Sequence, residues 1–228
     1  FRVTNAAMSD SNGEAYFPNA ANQLGVEFMG LSDCQKNPEK SDCQKVNQIM
    51  LDTFVEKHVD GGGDDTSPPI IDILSIDVEG YDYEVLVGGA NRTLKRVRYL
   101  EFEINKGGRW PEHSLQVAID MLSDAGFACY WAGTAGHLWR ITGCFLDHFE
   151  EKYWSNVACA NRRLDRDNDS SSSLAARMER TFQETLAAGS NIRYDNMQMD
   201  GTDGIQSCGP DCRKEFRRRR NEFKKRTN

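Results

Sequence analysis

The chain has 228 residues, is 39% hydrophobic and carries a formal net charge of −7 that is unevenly placed. Residues 213–228 hold nine Lys or Arg against two Glu, a balance of +7, and −7 less +7 leaves −14 on residues 1–212. A folded body that acidic excludes a nucleic-acid surface on it, and no apolar run reaches the roughly 20 residues that a membrane-spanning helix needs.

Phe1 to Met8 reads as an extended segment, and Ser9-Asp10-Ser11-Asn12-Gly13-Glu14 as a turn. Ala15-Tyr16-Phe17 returns as a short strand. Residues 18–44 are polar and irregular and read as a long loop. From Val46 an apolar strand tip runs into a short amphipathic helix ending near Lys57, with Asp52 as its N-cap. Asp60-Gly61-Gly62-Gly63-Asp64-Asp65 is a flexible connection. No Lys follows it and no strand feeds it, so it is not a phosphate loop.

Pro68 and Pro69 then introduce Ile70-Ile71-Asp72-Ile73-Leu74-Ser75-Ile76-Asp77-Val78-Glu79-Gly80. Six apolar residues in nine positions, bounded by Pro and Gly, predict a central strand of a parallel sheet, buried on both faces. Side-chain alternation places Asp77 and Glu79 on one side of its exit. Open α/β sheets bind ligands at that end. Charges at a buried strand end are costly unless something pairs with them, which marks Asp77 and Glu79 as candidate functional groups. Tyr81 to Gly89 predicts a short helix, with Asp82 and Glu84 serving only its first turn and its dipole.

Val97 to Ile104 alternates apolar and polar residues and predicts a second strand, with Glu103 near its end. Leu115, Ala118, Met121, Leu122 and Ala125 at helical spacing predict a helix over 114–125, stopped by Gly126. Phe127 to Trp131 and His137 to Ile141 flank a Gly-containing turn and predict an antiparallel hairpin. Near Arg162 the character changes. Asp165 to Ser173 reads as linker, Ala175 to Leu186 as one helix, and the basic end as a solvated tail. The division is a folded domain over 1–161 and, over 162–228, a linker and basic tail that is disordered or partly helical.

The seven cysteines show no zinc spacing. Cys34/Cys43 and Cys144/Cys159 are candidate local disulfides. With the sequons Asn91-Arg92-Thr93 and Asn168-Asp169-Ser170 they lean toward an endomembrane lumen or secretion. The four His lack matching partners and read as surface or packed residues. Trp110, in the loop after the second strand, is a candidate to stack on a sugar. Paired carboxylates suit a hard cation, but their spacing assigns no metal.

Four segments, in order, carry a resemblance: Asn5-Ala6-Ala7-Met8-Ser9-Asp10 with Gly13; Met50-Leu51-Asp52-Thr53-Phe54; Asp72 to Gly80 with Glu84-Val85-Leu86 and Gly88; and Leu100-Glu101-Phe102-Glu103-Ile104. Over about residues 1–160 the chain resembles the FkbM family of S-adenosylmethionine-dependent methyltransferases. The resemblance implies an α/β, class I methyltransferase-like (Rossmann-like), mostly parallel sheet with a terminal antiparallel hairpin, incomplete at the N-terminus. It implies methylation of a hydroxyl on a sugar, glycan or small metabolite. Asp77 would face the methyl group and the acceptor, Glu79 and Glu103 would orient the acceptor, Ser9 and Asp10 would lie near the adenine, and Gly80 would permit close backbone approach. Ser75 stands where the family has Lys. The Gly-rich loop for the cofactor's methionine and the acid for its ribose are not in this sequence, so the expectation places them upstream of Phe1, and the fragment alone binds cofactor poorly.

Two other classes stay open at this point. One is a glycosyltransferase using Asp77-Val78-Glu79 as a metal-diphosphate motif. The other is a non-catalytic fragment whose basic tail binds polyanions.

Overall fold

The computed structural model describes residues 2–18, 34, 36–40, 42–61, 68–132, 136–151, 155–164, 173–188, 193–194 and 197–198. Ala7–Ser9 (β1), Gly13–Pro18 (β2) and Cys43–Met50 (β3) form a small sheet in the order β1-β3-β2. β1 runs parallel to β3, and β2 antiparallel to it. The turn-forming residues between β1 and β2 also fasten the next element. Asn12 Oδ1 accepts the Met50 N–H at 2.9 Å, and its amide donates to Thr53 Oγ1 at 3.1 Å. Of the expected loop over 18–44, Cys43 and Gln44 belong to β3, while 19–33, 35 and 41 lie outside the described residues.

Helix α1 (Leu51–His58) follows directly, and Met50, not Asp52, holds its N-cap position. Asp52 is buried and accepts the Arg92 N–H at 3.2 Å and the Thr93 N–H at 2.7 Å. The N-cap expectation named the right chemistry, a carboxylate accepting backbone N–H groups, and the wrong donors. They belong to a turn 40 residues away, which no local rule sees.

The larger sheet has five described strands: β4 (Ile71–Ile76), β5 (Val97–Ile104), β6 (Phe127–Ala132), β7 (Leu138–Arg140) and β8 (Ser155–Asn161), in the order β4-β5-β8-β6-β7. The β6–β7 hairpin is antiparallel, as its turn predicts. The expectation of a mostly parallel sheet is corrected, since among the described strands of this sheet only β4 and β5 pair in parallel. β8 enters between β5 and β6, antiparallel to both. Its run of Val157, Ala158, Cys159 and Ala160 is buried throughout, small enough to lie between layers on both faces, and too weakly alternating to announce a strand.

β4 is corrected as well. It is not a doubly buried centre but an edge among the described strands. Ile73 is 69% exposed and only Ile76 is buried. An apolar run of this kind suits a strand with neighbours on both sides, and β4 has one.

Helix α2 (Asp82–Gly89) follows the turn after β4 and lies against β1, where a Cβ on Gly88 would overlap the Ser9 carbonyl oxygen. Helix α3 (Leu115–Ala125) starts at Ser114, whose hydroxyl accepts the Val117 N–H at 3.4 Å, and stops at Gly126 with φ 108°, as its spacing predicts. It buries Leu115, Ala118, Ile119 and Leu122 in the core shared by Leu100, Phe102 and Trp131. Helix α4 (Leu174–Ala188) seats Met178 and Phe182 in the same core. Thr185 Oγ1 accepts the Leu138 N–H of β7 at 3.2 Å. Among the described residues no helix is long and apolar enough to cross a membrane.

Cys34 and Cys43 are disulfide-bonded, as their spacing suggests. The expected Cys144/Cys159 bridge is corrected. Cys159 faces Cys129 across the β6–β8 register and is bonded to it. Cys144 is disulfide-bonded too. Sequence separation could not reveal the pairing, because β8 brings together cysteines 30 residues apart.

Candidate functional site

The site begins where β4 stops. Asp77 to Gly80 is a turn with Glu79 at φ 54° and Gly80 at φ 90°, so period-two alternation does not extend to Asp77 and Glu79. A non-glycine residue in the left-handed region persists only where its surroundings hold it. Here the loop after β5 does so. The Arg109 N–H donates to the Gly80 carbonyl at 2.9 Å. A Cβ on Gly80 would lie 2.6 Å from the Gly107 oxygen, and a Cβ on Gly108 would lie 2.6 Å from the Gly80 oxygen. Two backbones touch, and only glycine admits the contact. At Gly80 the backbone that approaches closely is the 107–108 loop.

The interlock sets three acids side by side. Glu103, at the end of β5, is only 6% exposed. Its Oε1 accepts the Asn105 amide at 2.7 Å. Burial raises the Glu103 carboxyl above its ordinary pKa. The Asn105 donor opposes this, while the charges of Asp77 and Glu79 and a hydrogen bond shared with Asp77 raise it further. Asp77 is exposed and Glu79 half-buried. The desolvation that the sequence suggested for Asp77 and Glu79 therefore falls on Glu103.

Ser9 and Asp10 lie at the end of β1, with the Ser9 hydroxyl donating to Asp10 at 3.2 Å. Gly88 of α2 packs on the Ser9 carbonyl, and the charge of Asp10 reaches the Arg109 guanidinium. Through Arg109, the tip of β1 and the 105–109 loop border one mouth. It lies at the carboxyl ends of β1, β4 and β5.

Asp82 and Glu84 have larger roles than a helix's first turn. Asp82 is wholly buried and accepts the Gly80 N–H at 3.3 Å and the Glu103 N–H at 3.2 Å. One carboxylate thereby joins the 77–80 turn to the end of β5. Glu84 is 3% exposed, and its Oε1 meets Arg109 at 3.1 Å and His113 Nε2 at 2.8 Å. His113 stacks on Tyr83, with ring centroids 4.0 Å apart, so this His does have a partner. The sequence signal was an acid at each of two alternate positions of an otherwise apolar helix, Asp82-Tyr83-Glu84-Val85-Leu86. Buried acids of that kind need built partners.

The sugar-stacking expectation for Trp110 is corrected. Trp110 is fully buried, donates Nε1–H to the Glu103 carbonyl at 3.0 Å, and packs between Phe102 and Tyr83. It supports Glu103 from behind. Among the described residues no group of three or more His, Cys, Asp or Glu side chains is arranged to hold a metal ion.

Residues 2–129 match the model of the Methyltransferase FkbM domain. That span takes in β1, the 77–80 turn, the end of β5 and both interlocked loops, and it ends inside β6. No curated protein and no solved structure matches the chain. A match over more than half the sequence means that this chain belongs to the FkbM methyltransferase family.

Proposed function

We propose that the protein is an S-adenosylmethionine-dependent O-methyltransferase acting on a hydroxyl of a sugar, glycan or small metabolite, within a class I, Rossmann-like unit. The observation that carries this reading is the convergence of Asp77, Glu79 and Glu103 at one mouth, within the matched span. The donor chemistry suits the cofactor, because an acidic rim of Asp10, Asp77 and Glu79 complements a sulfonium and an ammonium and can accept hydrogen bonds from ribose hydroxyls. When bound, the cofactor supplies an electrophilic methyl carbon.

The chain's own residues do the rest. Asp77, exposed at the rim, accepts a hydrogen bond from the acceptor hydroxyl and takes its proton. Glu103, raised by burial and by the neighbouring charge of Asp77, can take up that proton in turn. Glu79, fixed by its constrained backbone, orients the acceptor, and positioning of this kind contributes much of such a rate. Ser9 and Asp10 border the adenine side.

With the Cys34–Cys43 and Cys129–Cys159 disulfides and a bonded Cys144, we place the protein in an oxidising compartment, the endomembrane lumen or outside the cell.

The test incubates the protein, with any sequence that precedes Phe1 in its gene, with labelled S-adenosylmethionine and a panel of sugars and glycans. Wild type is expected to transfer label. Asp77→Asn is expected to fall by at least about a hundredfold with an unchanged circular-dichroism spectrum. Wild-type turnover in Asp77→Asn would remove the assigned role.

A further inference from the structure

At the far edge of the larger sheet, between β6, β7 and the first turns of α4, lies a cavity of about 560 Å³. β4 and its acid mouth are at the opposite edge of the strand order. Ala128 and Tyr130 of β6, Arg140 of β7, Thr142, Arg162 after β8 and Glu179 of α4 line it. In a chain of net charge −7, two guanidiniums share this space with one carboxylate.

The carboxylate is already engaged. Glu179 Oε1 accepts from Arg140 at 3.1 Å and from Gln183 at 3.1 Å, and its Oε2 accepts from the Tyr130 hydroxyl at 2.9 Å. The donors are not all used. Arg140 Nε has no hydrogen-bond partner among the described residues, but it is shielded from solvent and does not face the open space. Thr142 is 8% exposed, and its oxygen accepts the Cys129 N–H at 2.8 Å, so its own proton still points to no acceptor among the described residues. The Arg162 side chain makes no ion pair among the described residues, although its backbone N–H is bonded to Gly126. Unused donors therefore remain on two sides, the turn after β7 and the turn after β8, and Arg140 adds its charge from β7.

We propose that this cavity binds the phosphate group of a small phosphorylated molecule. A tetrahedral oxyanion presents oxygens in several directions at once, which suits donors arriving from separate segments, and arginine's fork serves two of them together. The volume falls in the range of small-molecule sites, so it also holds the body that carries the phosphate. The site is independent of the methyl-transfer reading, since no residue is shared.

The experiment titrates inorganic phosphate, then methyl phosphate and acetate, into the full chain at matched ionic strength, read by backbone amide shifts in a nitrogen–proton NMR spectrum. Saturable shifts at Thr142, Gly143 and Arg162 are expected with both phosphates, and weaker binding with acetate. Arg162 is exposed, so Arg162→Gln should keep the fold and weaken phosphate by about tenfold or more, while Arg162→Lys, which retains charge without the fork, should fall between. Absence of saturable shifts in wild type, equal binding by Arg162→Gln, or acetate binding as tightly as phosphate would each overturn the proposal.

Discussion

Asp82 shows how one residue joins stability to the candidate site. Among the described residues it has no counter-cation, and burial pushes its carboxyl up to about 7 from an ordinary 3.8, although the Glu103 and Gly80 N–H groups pull it down. The folded chain thus holds this proton more tightly than the unfolded chain does. The associated stability is complete below about pH 4 and is lost as pH rises through about 7. Fully realised, a shift of that size corresponds to about 4 kcal/mol. Urea midpoints are expected to fall between about pH 4 and about pH 7 in wild type, and to fall less in Asp82→Asn, which cannot ionise. Parallel slopes for the two proteins would show that Asp82 titrates normally. The raised carboxyl of Glu103 works in the same direction, because burial is its leading cause as well.

At the scale of elements, the informative contacts are those made across long sequence separations. Asp52 joins α1 to the turn after α2 by two accepted N–H bonds. Asp52→Ala leaves both donors unpaired, one of them on the buried Thr93, and is expected to cost about 2–4 kcal/mol in urea denaturation. Asp52→Asn, which keeps one acceptor, should cost less. A loss within experimental error for the alanine variant would mean that water replaces the carboxylate. Element identity was largely legible: α3 with its Ser114 start and Gly126 stop, and the β6–β7 hairpin, form where spacing and turn residues place them. β8 was not, because a strand of small buried residues carries no alternation. The edge position of β4 was not, because an apolar run reports the burial a strand needs and not the neighbours it finds.

Across the whole molecule, the Cys129–Cys159 bridge clamps β6 to β8 and closes a separation of 30 residues. Removing such a link costs about 3–4 kcal/mol through the freedom regained by the unfolded chain. The double variant Cys129→Ala, Cys159→Ala should therefore unfold at lower urea than wild type under non-reducing conditions. An unchanged midpoint would show that β8 is held by strand pairing and packing alone. The acid mouth sits at one edge of the sheet this bridge reinforces and the arginine-lined cavity at the other.

The sequence by itself determined the family, the turn at Gly80 and the identity of the acids. Those depend on local chemistry: glycine where a left-handed backbone touches another chain segment, carboxylates where a strand opens, apolar spacing where a helix packs. Only the tertiary structure decided which acid bears the desolvation, which cysteines meet, and that Asp82, Glu84 and Trp110 hold the site from beneath. Each of those outcomes depends on groups between 7 and 30 residues apart being carried to one place by strands and loops, and nothing in a local pattern records that distance.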